Sequence, residues 1–375
     1  MKVLLVNTSF FPCIGGVENS LRSICNILVI DGHSVDIIAS DCNQFKRTEK
    51  SFNSNITRYR QHKYGFFFIS LLKTLLKKDL NSYDIIISRH TITTFALLLL
   101  GVKKTLFIVP GVHFYQNKKD NETILGKIKF KLNLLLEKYV FIKTDNLFVF
   151  SETMKNQVSI YRKRKEVLTL NPGVDNTRFH KIANPEKINL RKNLQLPINK
   201  KIIFSLGRLV DVKNFETLIK AVSLMPNNYY LVIVGDGPEK ENLYKLIHEL
   251  NIRDKVSLIS STQSPEKYYS IADIFCLPST YEPFGQVLLE ATFSELPIVA
   301  IKSDAKGIDT ATSSIYRDYH SLITYSDSNS PIGLSDALIK ASSTIFSISE
   351  LEKFKSVYSW NSMVKELINH NKIQH

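Results

Sequence analysis

Two glutamates, Glu282 and Glu290, stand in the segment Pro278-Ser-Thr-Tyr-Glu-Pro-Phe-Gly-Gln-Val-Leu-Leu-Glu290. The proline and glycine between them force a special turn, so Glu282 falls in a loop. Helical periodicity from Gln286 to Thr292 puts Glu290 near the start of a helix. The amide end of that helix favours anionic or polar ligand groups. Carboxylates placed this way can hold sugar and ribose hydroxyls, each accepting charge-assisted hydrogen bonds from a vicinal diol. Upstream, Ser205-Leu-Gly-Arg208-Leu-Val-Asp-Val-Lys213-Asn214 leaves a strand end with two cations. Arg208 as a planar fork and Lys213 as a point charge can clamp the two phosphates of a nucleoside diphosphate, with Asn214 placed to cap the following helix.

Two glycine-rich turns add to this set. Leu231-Val-Ile-Val-Gly235-Asp-Gly237-Pro238 runs a strand into a turn suited to a phosphate or a base. It lacks the third glycine of the nicotinamide fingerprint and does not open the chain, which disfavours hydride transfer. Cys13-Ile-Gly-Gly-Val-Glu18 follows the first apolar run and precedes a helical pattern from Asn19. Its paired Gly15 and Gly16 allow close approach of a ligand to the backbone, with a helix N-terminus behind them.

All four segments lie at or after the ends of short β-rich runs. Those runs alternate with helical patterns in both halves, the signature of βαβ units and parallel sheets. The expected strands are Val3–Val6, Val35–Ala39, Ile85–Ile87, Leu106–Val109 and Leu147–Phe150, then Ile202–Leu206, Tyr230–Val234, Val256–Ile259, Ile274–Leu277 and Ile298–Ala300. The turn Asn171-Pro172-Gly173 and the polar stretch through Pro185 mark a boundary, giving Rossmann-like domains over 1–178 and 179–356. Two doubly wound domains in one chain set the carboxyl ends of their sheets across a central cleft, where open α/β folds bind ligands.

A chain of 375 residues with 44% apolar side chains can bury a sizeable core in each domain. Its 49 Lys and Arg against 35 Asp and Glu leave a net +14, which asks for an anionic partner: nucleic acid, an acidic membrane surface or a phosphorylated substrate. Residues 1–180 hold 27 basic and 14 acidic side chains, residues 181–375 hold 22 and 21, so the two halves are expected to have different partners. The four cysteines show no C-x-x-C spacing, which implies neither a metal site nor a disulfide framework and fits a reducing cytoplasm. The first residues read as a buried strand rather than a signal peptide. The longest apolar stretch, Phe95 to Val102, is far short of the roughly 18 residues that span a bilayer.

Gly15-Gly16, Gly32-His33, Arg208 with Lys213-Asn214, Gly235-Asp-Gly237, and Glu282 with Glu290 together resemble the retaining glycosyltransferases of family four, which have the GT-B fold. The resemblance covers nearly the whole chain. It implies transfer of a hexose from a UDP- or GDP-linked donor to a glycan or lipid-linked glycan, with retained anomeric configuration, no cofactor and no obligatory metal ion. It places Arg208 and Lys213 on the diphosphate, Glu290 on the ribose, and Glu282 with Phe284, Gly285 and Gln286 near the donor sugar. It also matches His113, in Pro110-Gly-Val-His113, to the histidine that faces the reacting sugar. The C-terminal segment 357–375, with Trp360, corresponds to the helix that returns to the first domain. The chain departs from the pattern at Leu296 and at Asp304-Ala-Lys306-Gly307, a loop that lies near the donor sugar in that family, so the departure bears on donor identity; Lys306 reads as a solvated loop lysine, with contact to an acidic donor sugar as the alternative.

Where the basic surplus acts is a separate question. Tyr64 to Lys78 and Leu125 to Lys143 interleave lysines with leucines and aromatics, as interfacial amphipathic helices do, or as helices that pack on the first sheet and show only solvated lysines. The expectation is a cytoplasmic protein that sits peripherally on the anionic inner face of the plasma membrane and acts in surface polysaccharide assembly (O-antigen, capsule or lipopolysaccharide). Nucleic acid is the competing partner for a basic chain, but no RNA-binding aromatic signature or helix-turn-helix pattern stands out. A non-catalytic nucleotide-sugar-binding protein is disfavoured because both phosphate cations and both glutamates are present.

Overall fold

The computed structural model describes residues 1–13, 15–42, 45–61, 66–116, 124–303 and 307–373. The chain divides into two compact units, Met1–Gly173 with Trp360–His375, and Val174–Ser359.

The first unit holds strands β1 (Lys2–Val6), β2 (Ser34–Ser40), β3 (Thr48–Ser51), β4 (Ser54–Tyr59), β5 (Ile85–Ser88), β6 (Thr105–Ile108), β7 (Asn146–Val149) and β8 (Leu168–Thr169), in sheet order β3-β4-β2-β1-β5-β6-β7-β8. The sheet is parallel except for the β3–β4 hairpin. Strands β5, β6 and β7 are buried along their whole length, as a sheet covered on both faces requires. The helix Gly16–Ile30 ends at Gly32, whose φ of +79° lets its N–H reach Val29 O at 3.0 Å while His33 N reaches Leu28 O at 2.9 Å. That wrapped end satisfies carbonyls the helix would leave unpaired. The helix Trp360–Ile373 packs on Gly16–Ile30 and buries Met363, Val364 and Leu367. Gly173 lies against the backbone of Trp360, where any Cβ would collide.

The second unit has β9 (Lys201–Leu206), β10 (Tyr229–Val234), β11 (Val256–Ile259), β12 (Ile274–Leu277), β13 (Tyr281–Glu282), β14 (Ile298–Ile301), β15 (Asp309–Thr310) and β16 (Ile323–Ser326). Six of them form a parallel sheet ordered β11-β10-β9-β12-β14-β16, the doubly wound order, and β13 pairs only with β15. Side-chain alternation along β9 sends Ile202 and Phe204 into one apolar layer and Ile203 into the other, so both faces are covered. The order reverses between the paired strands β9 and β12, and the crevice beyond the carboxyl ends of such a pair is where this architecture binds ligands. Arg208 and Lys213 follow β9, and Glu282 follows β12. Beneath them, Asp273 accepts from Lys187 Nζ at 2.7 Å, Arg191 Nη2 at 2.7 Å and Ile202 N at 2.7 Å, tying the helix Asn184–Asn193 to the start of both strands. Among the described residues, no helix is long and apolar enough to cross a membrane.

Candidate active site

The loop after β9 is zipped to the turn after β10. Gly207 N donates to Val234 O at 3.1 Å, Leu209 N to Asp236 O at 2.9 Å, and Glu239 N to Leu209 O at 3.1 Å. A Cβ on Gly235 would strike Gly207 O, and one on Gly237 would strike Leu209 O. These two glycines therefore permit the backbone contact that holds Arg208 at the strand end. Between the turns, Asp236 accepts from Lys240 Nζ at 2.8 Å and Ser261 N at 2.7 Å, and these donors hold its carboxyl well below the usual range. Arg208 is exposed and has no ion-pair partner among the described residues.

The same loop is tied on its other side to the segment after β12. Thr280 N donates to Val212 O at 2.9 Å, and Asn214 Nδ2 to Pro278 O at 2.9 Å. Asn214 does not cap the following helix with its side chain, contrary to the expectation. It stands at the N-cap position in the left-handed region, φ +55°, its amide bonds Pro278 and Asn329, and its Oδ1 accepts from the Thr217 hydroxyl at 2.7 Å. The side chain joins loops because the left-handed backbone turns it away from the helix amides.

Lys213 and Glu282 form a half-buried ion pair. Register fixes the glutamate: Glu282 pairs with Thr310 in the β13–β15 ladder, and its carbonyl accepts from Ala311 N at 2.8 Å. Its second carboxylate oxygen accepts from Gly285 N at 3.3 Å, at the head of the helix Gln286–Phe293. Gly285 has φ +75°, which favours glycine and lets Phe284 and Gln286 follow the turn. Glu282 thus bridges a cation and a helix N-terminus. Glu290 lies one turn along this helix and accepts from Tyr269 Oη at 3.0 Å. Burial pushes its carboxyl up to about 7, against the pull of Tyr269, Arg178 and Gln286. Both glutamates act on the Tyr269 hydroxyl, whose own pKa is raised well above normal, chiefly by burial. Tyr269 has no signal in the sequence, since it reads as one more aromatic on a core helix.

In the first unit, the helix after β1 starts at Gly16 rather than Asn19, so the glycine pair is its N-terminus. Space is open where a Cβ on Gly16 would lie. Ile14, between Cys13 and Gly15, is outside the described residues, as are Asp304, Ala305 and Lys306. His113 begins the short helix His113–Gln116, with its ring 5.1 Å from that of Phe130. Its backbone N–H is held by both carboxylate oxygens of Glu137, at 3.0 and 3.2 Å. Glu137 is buried, which pushes its carboxyl up to about 7 while the His113 N–H draws it down. Spacing gave no hint of it, because Glu137 is 24 residues away on the helix Ile124–Lys143.

Residues 186–310, which contain the whole second-unit cluster, match the profile described as glycosyl transferases group 1. Residues 14–178, with Gly15, Gly16 and His113, match that of glycosyltransferase family 4. Both halves thus match glycosyltransferase models, and the chain is a glycosyltransferase. This glycosyltransferase is 26% identical to an alpha-monoglucosyldiacylglycerol synthase of Streptococcus pneumoniae, over 80% of this chain and 71% of that one. It is 27% identical to an O-antigen biosynthesis glycosyltransferase of Escherichia coli, over 60% of this chain and 62% of the relative. Among solved structures, Anabaena HepE in complex with UDP and glucose superposes with a TM-score of 0.74 at 16% identity, covering 99% of each chain. The glycosyltransferase therefore has the GT-B fold, with a Rossmann-like sheet in each unit.

Proposed function

We propose that this glycosyltransferase moves a hexose from a UDP- or GDP-linked donor to a glycan or lipid-linked glycan in surface polysaccharide assembly, with retention and without a metal ion. The carrying observation is the bridge made by Glu282 between Lys213 and the Gly285 amide, at the carboxyl ends of the strands that flank the sheet reversal. A diphosphate arriving at Lys213 competes with Glu282 for the ammonium and frees that carboxylate to accept from donor-sugar hydroxyls. Arg208 supplies the second cation, and together they stabilise the charge that develops on the departing diphosphate. That is the work a divalent ion would otherwise do. Retention follows from attack on the face the diphosphate leaves, with the leaving phosphate taking the acceptor's proton. Glu290 takes the ribose diol, and His113 faces the reacting sugar.

HepE has been solved with UDP, and the pneumococcal and E. coli relatives are named for lipid and O-antigen products. These support the donor and acceptor classes proposed here. An anionic lipid surface as the place of reaction is favoured by the helix Ile124–Lys143, where Ile128, Leu132, Leu135, Tyr139 and Ile142 are exposed along one stripe. Exposed Lys127, Lys131 and Lys138 flank it.

The test is a thermal-shift screen of UDP- and GDP-sugars, followed by transfer assays with the hit. A donor at about 100 times its Kd stabilises the protein by about 3 kcal/mol. K213A and E282A are each expected to lower kcat at least about a hundredfold, as loss of a transition-state contact does, with an unchanged circular dichroism spectrum. Near-normal turnover in either variant would overturn the assignment.

A further inference from the structure

Cys13 and Cys42 are 29 residues apart in sequence, yet their Sγ atoms lie 3.0 Å from each other. Both are free and half-buried, whereas Cys25 and Cys276 are fully buried. The meeting is built into the fold. Cys13 follows β1 and Cys42 follows β2, adjacent parallel strands whose exits are stitched by Asn7 N to Ile38 O at 3.0 Å and Ser40 N to Thr8 O at 3.2 Å. Arg58, buried on β4, then ties the two loops together. Its guanidinium donates to Phe11 O at 2.6 Å, two residues before Cys13, and to Ser40 O at 3.1 Å, two residues before Cys42. Its charge is met by Glu49 at 2.6 Å.

We propose that Cys13 and Cys42 are a thiol-disulfide pair, oxidised by a small disulfide of the glutathione class, and that the bond fastens the Gly15-Gly16 loop to the end of β2. A disulfide needs its sulfurs roughly 2 Å apart, which the two loops reach with a small approach. The first exchange falls to the Cys42 thiolate, because the Cys13 thiol is pushed up to about 11 by burial and then by its hydrogen bond and charge coupling to Cys42. Cys42 attacks one sulfur of the small disulfide, breaking its S–S bond and releasing one thiolate, which takes up the proton Cys42 lost. Once Cys42 is in that mixed disulfide, its charge no longer opposes ionisation of Cys13. The Cys13 thiolate attacks Cys42 Sγ and expels the second small thiolate, which takes up the Cys13 proton. Two protein thiols are oxidised and one small disulfide is reduced to two thiols. In a reducing compartment such pairs are transient and serve as sensors rather than as staples.

The bond restrains the loop that opens the helix Gly16–Ile30, where the paired glycines leave a ligand room to approach the helix N-terminus, and in its effect on activity the inference rests on the proposed transfer reaction. The cross-link itself does not, so it is scored first by mass. The reduced full chain is incubated with oxidised glutathione, unfolded in the presence of an alkylating agent and mapped without reduction. The expected result is a peptide pair joined through Cys13 and Cys42, with Cys25 and Cys276 alkylated. Dithiothreitol should reverse the link, and both C42S and C13S should abolish it. Sugar transfer is expected to fall at least several-fold in the linked wild type, to return on reduction, and to stay unchanged by oxidant in C42S. Finding both thiols alkylated, or only glutathione adducts, after excess oxidant would overturn the pairing. Full transfer by the linked chain would overturn its action on the loop.

Discussion

Glu290 shows how a site residue's chemistry is set by what surrounds it. The sequence identified the carboxylate, through its spacing from Glu282, but not its partner Tyr269 or its shifted titration. Its pKa in the fold, about 7, lies above the ordinary carboxyl value because burial penalises the anion. The sign follows: stability from this group is full below the unfolded pKa and is lost as pH rises through about 7. Ligand binding runs the other way. In the proposed role a ribose diol donates to the carboxylate, so binding would favour the ionised form. Affinity for the donor nucleotide is therefore expected to rise with pH up to about 7, by as much as tenfold per unit, and then level off. Calorimetry in two buffers of different ionisation enthalpy should show proton release near pH 6. E290Q should bind more weakly and lose that release. Because the nucleotide's own phosphate titrates identically with both proteins, equal pH profiles would remove the ribose role from Glu290. Gly235 and Gly237 teach a related point. Their pattern was visible, yet the reason glycine is required at each lies in the backbone of the neighbouring loop, which no local spacing reports.

At the scale of elements, the strands that the sequence made legible are those carried by an apolar run, whether fully buried like Ile274–Leu277 or at a half-buried sheet edge like Val256–Ile259. Ile274–Leu277 and Val256–Ile259 stand where the apolar runs put them, and the others differ by one or two residues. The β3–β4 hairpin escaped because its residues are mostly polar and its turn, Phe52-Asn53 with φ +55° and +52°, lacks the usual Asn-Gly signal. β13 and β15, only two residues each, escaped because they are held by a ladder and not by an apolar run, although they fix Glu282. Asp273 belongs to this scale too, since it fastens a helix to two strands. Burial raises its carboxyl pKa, but Lys187, the Ile202 amide and Arg191 outweigh that and leave it low. Its contribution to stability is thus present above the unfolded pKa near 4 and is lost as pH falls through the folded value. D273A strands the buried Arg191 and is expected to cost about 3 kcal/mol at neutral pH. Urea denaturation followed by circular dichroism should show a lower midpoint at pH 7, with the gap to wild type narrowing below pH 4. An unchanged midpoint would mean that the network holds nothing.

For the molecule as a whole, the observed units sharpen the distribution of charge. Met1–Gly173 with Trp360–His375 contains 28 basic and 14 acidic side chains, whereas Val174–Ser359 contains 21 of each. The entire surplus belongs to one unit, and it is not the unit that carries Arg208 and Lys213. A phosphorylated donor therefore does not account for it. The same unit exposes the apolar stripe of Ile124–Lys143, with Leu132 61% and Leu135 64% exposed, and adds Phe66, Ile69 and Leu76 on a second helix; Tyr64 and Gly65 lie outside the described residues. Charge and apolar surface together fit an anionic bilayer, where each lysine near the surface contributes about 1 kcal/mol and each leucine the burial of its side chain. Binding to vesicles of phosphatidylglycerol and phosphatidylcholine is expected, weakening as salt shortens the Debye length, with little binding to phosphatidylcholine alone. The double variant L132E/L135E should reduce binding roughly a hundredfold or more, because it removes two apolar anchors and adds two like charges to those of the lipid. Its thermal shift with the donor nucleotide should match wild type, since both residues are exposed on a helix of the first unit and the proposed nucleotide site is built from the second. Equal binding by the double variant, or equal binding to neutral and anionic vesicles, would leave the +14 without a membrane explanation.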